Sequence, residues 1–181
     1  MKKIVVFVII MFGLFNSVSA NYTQLAYDFQ FKGIDGKIIK LSNYENKVIV
    51  VVNVASRCGF TNQYEDLQKL STLYKDKNLI VLGIPTNDFK QEPGSNNDIK
   101  DFCETNFNIS FPMSEKTSVI GTNSHPFFKW AKQNHGKSAI PKWNFHKIII
   151  GKDGKVSDTF ASITKPSSKK FISFIEKAIK N

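Results

Sequence analysis

The sequence predicts one α/β domain, a central mixed β-sheet with helices on both faces and a β-hairpin at its N-terminal end. Three observations carry that expectation. Residues 48–54 and 79–84 are continuous, largely β-branched apolar runs, the pattern of strands buried on both faces. Between them, Tyr64, Leu67, Leu70 and Leu73 or Tyr74 recur at helical spacing, and a strand–helix–strand unit closes by a right-handed crossover into parallel neighbours. Two Asp-Gly pairs, Asp35-Gly36 and Asp153-Gly154, each separate alternating segments, the strongest short-range signal for a hairpin.

The elements follow in chain order. Met1-Lys2-Lys3, an apolar run over 4–15 and the segment Asn16 to Ala20 form the basic, apolar and small-residue regions of a secretory signal peptide, with Val18 and Ala20 before the cleavage point. The apolar run is too short to span a bilayer comfortably, and no Cys follows the cleavage site to accept a lipid. The domains expected are thus a signal peptide over 1–20 and a single folded unit over 21–181, exported to the periplasm or secreted, without stable membrane insertion after cleavage, and monomeric. Residues 27–31 and 37–41 read as the first hairpin. Asn96 to Phe107 and 126–133 read as helices, 146–150 and 155–160 as the second hairpin. Residues 167–180 read as a terminal helix with a Phe171, Phe174, Ile175, Ala178 stripe and Ser167 or Ser168 as its N-cap.

Composition narrows the function classes. The 181 residues hold 41% hydrophobic and 22% charged residues, 10 Gly, 6 Pro and 2 Cys, which excludes disordered, collagenous and disulfide-dense chains. Sixteen Phe are best used as core. The net charge of +10 could mark a nucleic-acid binder, but the lysines are scattered instead of forming one stripe, so nucleic acid is not an expected partner. His125, His135 and His146 have no metal-ligand spacing, and no glycine-rich phosphate loop is present; neither metal nor nucleotide cofactor is expected.

Cys58 stands in the turn Ala55-Ser-Arg-Cys-Gly-Phe-Thr-Asn62, between the first buried strand and its crossover helix. Open α/β sheets place their chemistry at the carboxyl ends of strands. There a thiol feels the positive end of the helix dipole, and Arg57 adds a supporting charge; both favour the nucleophilic thiolate. In an oxidising compartment, a Cys58–Cys103 staple is the competing structural reading. Single positions exclude neighbouring chemistries. Thr61 stands where a Cys-x-x-Cys exchanger needs its second Cys, Asn62 where a Cys-x3-Cys copper site would need one, and Ala55 where peroxiredoxins carry Thr. A single activated thiol, with another 45 positions on, suits attack on a peroxide O–O bond to give a sulfenic acid that the second thiol resolves.

Three segments in order, Asn53 to Thr61, Gln91-Glu-Pro-Gly94 and Trp143-Asn144-Phe145, resemble the glutathione peroxidase family in its cysteine form, over nearly all of the chain after residue 27. The resemblance implies a thioredoxin-like fold and a peroxidase that reduces hydrogen peroxide and organic hydroperoxides, lipid ones included. It makes Cys58 the peroxidatic residue, with Gln91, Trp143 and Asn144 as uncharged hydrogen-bond donors around the sulfur. Cys103 falls where some members carry a resolving cysteine. Such members use a thioredoxin-like protein as the reductant and co-substrate, whereas glutathione serves a one-cysteine cycle. The chain departs from the pattern in having Thr86 where many members have a third Cys, and in a spacing to Gln91 one residue short of the usual. The alternative function is an exported thioredoxin-fold binding or scaffold module with a structural disulfide.

Overall fold

The computed structural model describes residues 22–181, so the expected signal peptide lies outside the described residues. β1 (Gln30–Lys32) and β2 (Ile38–Lys40) form a separate antiparallel ribbon, and β3 (Val48–Val54), β4 (Leu79–Pro85), β5 (Lys147–Ile150) and β6 (Val156–Phe160) form the central sheet in the order β4-β3-β5-β6. β3 runs parallel to β4 and antiparallel to β5, which pairs antiparallel with β6. The helices are α1 (Gln63–Tyr74), α2 (Asn96–Phe107), α3 (Pro126–His135) and α4 (Lys169–Lys180).

β3 explains the layering. Every residue from Val48 to Val54 is buried, so the strand has no solvent face. Val48, Val50, Val52 and Val54 point into a core with Tyr64, Leu67 and Leu70 of α1, Ile99 and Cys103 of α2, and Phe171 and Ile175 of α4. Ile49 and Val51 point the other way, onto Phe31, Leu41 and the Phe127, Phe128 and Trp130 rings of α3. This second core absorbs much of the aromatic excess: Phe127 packs edge-on against both Phe29 and Phe128. The mixed sheet with helices on both faces is the predicted thioredoxin-like architecture.

Several boundaries differ from the sequence reading. Residues 26–28 and 41–44 are single 3-10 turns, which shortens both hairpin strands to three residues. On α1 it is Tyr74 that is buried, while Leu73 faces solvent. Ser168, not Ser167, caps α4, and its hydroxyl accepts from the Phe171 amide. α2 carries a capping box: Ser95 Oγ accepts from the Asp98 amide (3.2 Å), and the Asp98 carboxylate accepts from the Ser95 amide (2.8 Å). Its C-cap, Asn108, adopts the left-handed conformation (φ 50°) that Asn tolerates. Among the described residues no helix is long and apolar enough to cross a membrane, and no cluster of acidic, His and Cys side chains could hold a metal ion.

Candidate active site

Cys58 occupies the turn between the carboxyl end of β3 and α1, with only 9% of its surface exposed. The turn is built around Thr61. Its hydroxyl accepts from the Cys58 amide (3.0 Å) and donates to the Ala55 carbonyl (2.9 Å), while the Thr61 amide donates to the Cys58 carbonyl (3.0 Å). The fold thus puts a hydroxyl where a dithiol exchanger would have its second sulfur. The Phe60 amide points at Cys58 Sγ, 3.4 Å away, a backbone donor aimed at the sulfur from the approach to α1. Cys58 and Cys103 are both free thiols.

A second segment is laced onto this turn. The Arg57 amide donates to the Gln91 carbonyl (3.0 Å), and the Ser56 amide and hydroxyl both donate to the Glu92 carboxylate (2.8 and 3.0 Å). Glu92 is buried, which raises its pKa, although the Ser56 hydrogen bonds and the charges of Lys116 and Arg57 oppose that rise. Asn87 Oδ1 accepts from the Glu92 amide, and Lys90 turns through the left-handed region (φ 57°). The short spacing before Gln91 is therefore accommodated by a tight turn. Arg57 touches the site through its backbone; its exposed side chain acts on Glu92 by charge.

The third segment hangs from Asn53, which is buried near the end of β3. Asn53 Nδ2 donates to the Trp143 carbonyl (3.1 Å), its Oδ1 accepts from the His146 amide (3.1 Å), and its carbonyl accepts from the Phe145 amide (2.6 Å). These bonds hold Phe145 at φ 64° and turn Asn144 inward, where it is fully buried. Asn144 Nδ2 donates to Gln91 Oε1 (2.8 Å), which ties the second and third segments together. That contact uses one of the two Asn144 N–H groups and leaves its buried Oδ1 without a partner, so Asn144 orients the Gln91 amide and keeps an acceptor in the site. Trp143 is 41% exposed and packs its ring on Phe89 (centroids 5.5 Å apart).

Of the residues singled out from sequence, the fold brings together the Cys58 turn, Gln91 and Asn144 through direct hydrogen bonds, with Trp143 at the rim. The one donor to Sγ among the described residues is the Phe60 amide; Gln91, Trp143 and Asn144 make no hydrogen bond to it. Thr61, Glu92 and Asn53 escaped the sequence reading as site-building residues. All three lie within or beside the quoted motifs, and the signal available was their polar character inside otherwise apolar surroundings. Cys103 lies on the core-facing side of α2, 1% exposed and against Tyr64. Burial pushes its thiol up to about 11, with the charges of Glu92 and Glu104 adding to the effect and Tyr64 opposing it.

Comparison with known proteins places the chain in a family. The family model for glutathione peroxidase matches residues 26–132, a span that includes Cys58, Gln91 and Cys103. The chain is 41% identical to hydroperoxy fatty acid reductase gpx1 of Synechocystis over 158 residues, covering 82% of this chain and 94% of the relative. It is 42% identical to glutathione peroxidase-like peroxiredoxin 2 of Saccharomyces cerevisiae over 151 residues, covering 81% and 93% respectively. The crystal structure of Trgpx in apo form superposes with a TM-score of 0.70 at 35% identity, covering 88% of this chain and 98% of that one. On this family match and these identities, the chain belongs to the glutathione peroxidase family.

Proposed function

We propose that this chain is a thiol-dependent peroxidase in which Cys58 is the attacking thiol. The observation that carries the reading is the Phe60 amide on Cys58 Sγ at the end of the central strand, in a turn to which the Gln91 and Asn144 segments are bound. The Cys58 thiolate displaces alkoxide from the terminal oxygen of the O–O bond. The sulfur becomes a sulfenic acid, and the leaving oxygen takes up a proton as alcohol or water. Developing charge on the departing oxygen meets uncharged donors, for which the Gln91 amide and the Trp143 indole N–H are suited. The exposed Trp143 ring, packed on the half-buried Phe89, favours organic hydroperoxides alongside hydrogen peroxide.

In the two-cysteine cycle, the Cys103 thiol attacks the sulfenic sulfur, water leaves, and a Cys58–Cys103 disulfide forms. A thioredoxin-like dithiol then reduces it. One observation favours a rival cycle: Cys103 is 1% exposed and its thiol is pushed up to about 11, so in the folded state glutathione would reach Cys58 first. Export after cleavage near Ala20 completes the reading, and N-terminal sequencing of the mature protein tests it.

Turnover of hydrogen peroxide and of a fatty acid hydroperoxide, with thioredoxin and glutathione supplied separately, tests the function. Cys58→Ser abolishes both activities; retention of substantial activity refutes the assignment. Mass spectrometry after one equivalent of peroxide separates the two cycles. An intramolecular disulfide that thioredoxin reduces supports the first, and a glutathione adduct on Cys58 beside a free Cys103 supports the second.

A further inference from the structure

Lys147 is the first residue of β5, and it is 0% exposed. Its register partners, Val52 and Phe160, both face the core shared with Cys58 and α1, so the Lys147 side chain enters that layer beneath the start of α1. There Lys147 Nζ donates to Gln63 Oε1 (2.6 Å) and to the Thr164 carbonyl (2.7 Å). Gln63 is the first residue of α1 and is itself buried; its Nε2 donates to the Ser162 carbonyl (2.7 Å). Buried lysines normally find a carboxylate. This one finds only neutral acceptors, and the acidic group near enough to act on it is Asp66, one turn along α1 and held by Ser167 Oγ (2.7 Å).

The path from this ammonium to the candidate nucleophile is short. The Gln63 amide donates to the Phe60 carbonyl (2.9 Å), and the Phe60 amide donates to Cys58 Sγ (3.4 Å). Fixing Gln63 therefore fixes the residue whose amide meets the sulfur. The buried charge also lies at the end of α1 where the helix dipole is positive, and the two fields add in a low-dielectric interior. We propose that Lys147 is a positioning residue for Cys58, holding the Phe60 amide on the sulfur through Gln63 and supplying a buried positive charge that favours the thiolate. This rests on the reading of Cys58 as the reactive thiol.

Charge and fastening can be separated, because a neutral amine still donates both hydrogen bonds. Burial lowers Lys147 from 10.5 to about 7, opposed by Asp66, so the charge is lost near neutrality while the tether stays. Around Lys147, α1 contributes Asp66, the residue before β5 is His146, and the segment after β6 contributes the Ser162 and Thr164 carbonyls around the Lys147–Gln63 pair. His146 is held neutral down to about 4 by burial and by Lys147 and Lys142, so it does not titrate in the same range.

The test measures alkylation of Cys58 by iodoacetamide against pH in the whole protein, resolved by peptide mass spectrometry. It needs no peroxide, so it stands whether or not the peroxidase reading does. The wild-type profile is the reference. In Lys147→Met the alkylation rate at pH 7 falls on the order of tenfold. Gln63→Glu keeps the acceptor for Lys147 and sets a carboxylate against its charge, at the cost of the Nε2 bond to the Ser162 carbonyl, and it lowers the rate at pH 7 in the same direction. If both variants reproduce the wild-type profile while changing only thermal stability, Lys147 is merely structural and the proposal fails. Loss of peroxidase turnover in Cys58→Ser leaves this test untouched.

Discussion

Replacing Thr61 with Val is the sharpest test of how the Cys58 turn is built, because it removes one hydroxyl and almost no volume. That hydroxyl makes two hydrogen bonds in a site only 9% exposed, one from the Cys58 amide and one to the Ala55 carbonyl. Each buried bond is worth about 1 kcal/mol net, and a buried N–H left without a partner costs roughly 1–3 kcal/mol. The new methyl group returns under about 1 kcal/mol of apolar burial. The expected loss is therefore about 2–4 kcal/mol, which for a domain of this size lowers Tm by roughly 5–15 °C. Urea denaturation measures the stability, and the rate of Cys58 oxidation by hydrogen peroxide measures the turn, which loosens and reacts more slowly. Thr61→Ser keeps the hydroxyl and should fall within about 1 kcal/mol of wild type. If Thr61→Val unfolds within 0.5 kcal/mol of wild type and Cys58 oxidises at an unchanged rate, the turn is held by something else and the argument is wrong.

Trp143→Phe keeps the ring stacked on Phe89 and deletes the indole N–H; losing one preorganised donor lowers the peroxide rate up to about a hundredfold, and an unchanged rate shows that Trp143 only packs. Ser95→Ala removes the α2 capping box at a cost of about 1 kcal/mol, so if opening of α2 limits disulfide formation, Cys58–Cys103 closure after peroxide accelerates about fivefold in quenched-flow mass spectrometry. Lys147 titrates near 7 in the folded chain and 10.5 in the unfolded one, so the unfolded state holds the extra proton between those values and stability rises with pH across that window. At about 1.4 kcal/mol per pH unit, the full gain is roughly 5 kcal/mol, seen as the difference between wild-type and Lys147→Met unfolding profiles, and parallel profiles refute it.

The strands were legible because burial on both faces leaves a chemical signature: β3, apart from Asn53, and β4 are apolar throughout, and both run within a residue of the expected range. The hairpin turns were legible for an equally local reason, the Asp-Gly pairs. Lys147 was not. A lysine opening a β-run reads as an exposed strand end, and its burial depends on Gln63, 84 positions away in the chain, and on a carbonyl of the segment after β6. Asn144 shows the same limit in the site itself. Its presence was read from the motif, but that its amide donates to Gln91 follows from the turn that Asn53 imposes on residues 143–146. Leu73 and Tyr74 are adjacent and both apolar, so helical spacing alone could not choose between them. The Tyr74 hydroxyl reaches Glu176 of α4, which allows the buried ring a polar end.

The two cysteines share one core layer but not one mechanical environment, and that decides which of them must move. The Cys58 turn is continuous with β3, which is buried on both faces and hydrogen-bonded along both edges, and it is bound further to Gln91, Glu92 and, through Asn53, to residues 143–146. Displacing it would break the central strand pairing, the most costly opening available to a sheet protein. Cys103 belongs to a 12-residue helix with only Ile99 and Cys103 fully buried, fixed at its ends by an exposed capping box and a left-handed Asn. Opening that helix gives up two buried anchors and a cap but leaves every strand in place. A disulfide between the two sulfurs is therefore reached by bringing α2 to Cys58. Within the proposed two-cysteine cycle, the burial that pushes the Cys103 thiol up to about 11 would keep it protonated until local opening of α2 exposes it.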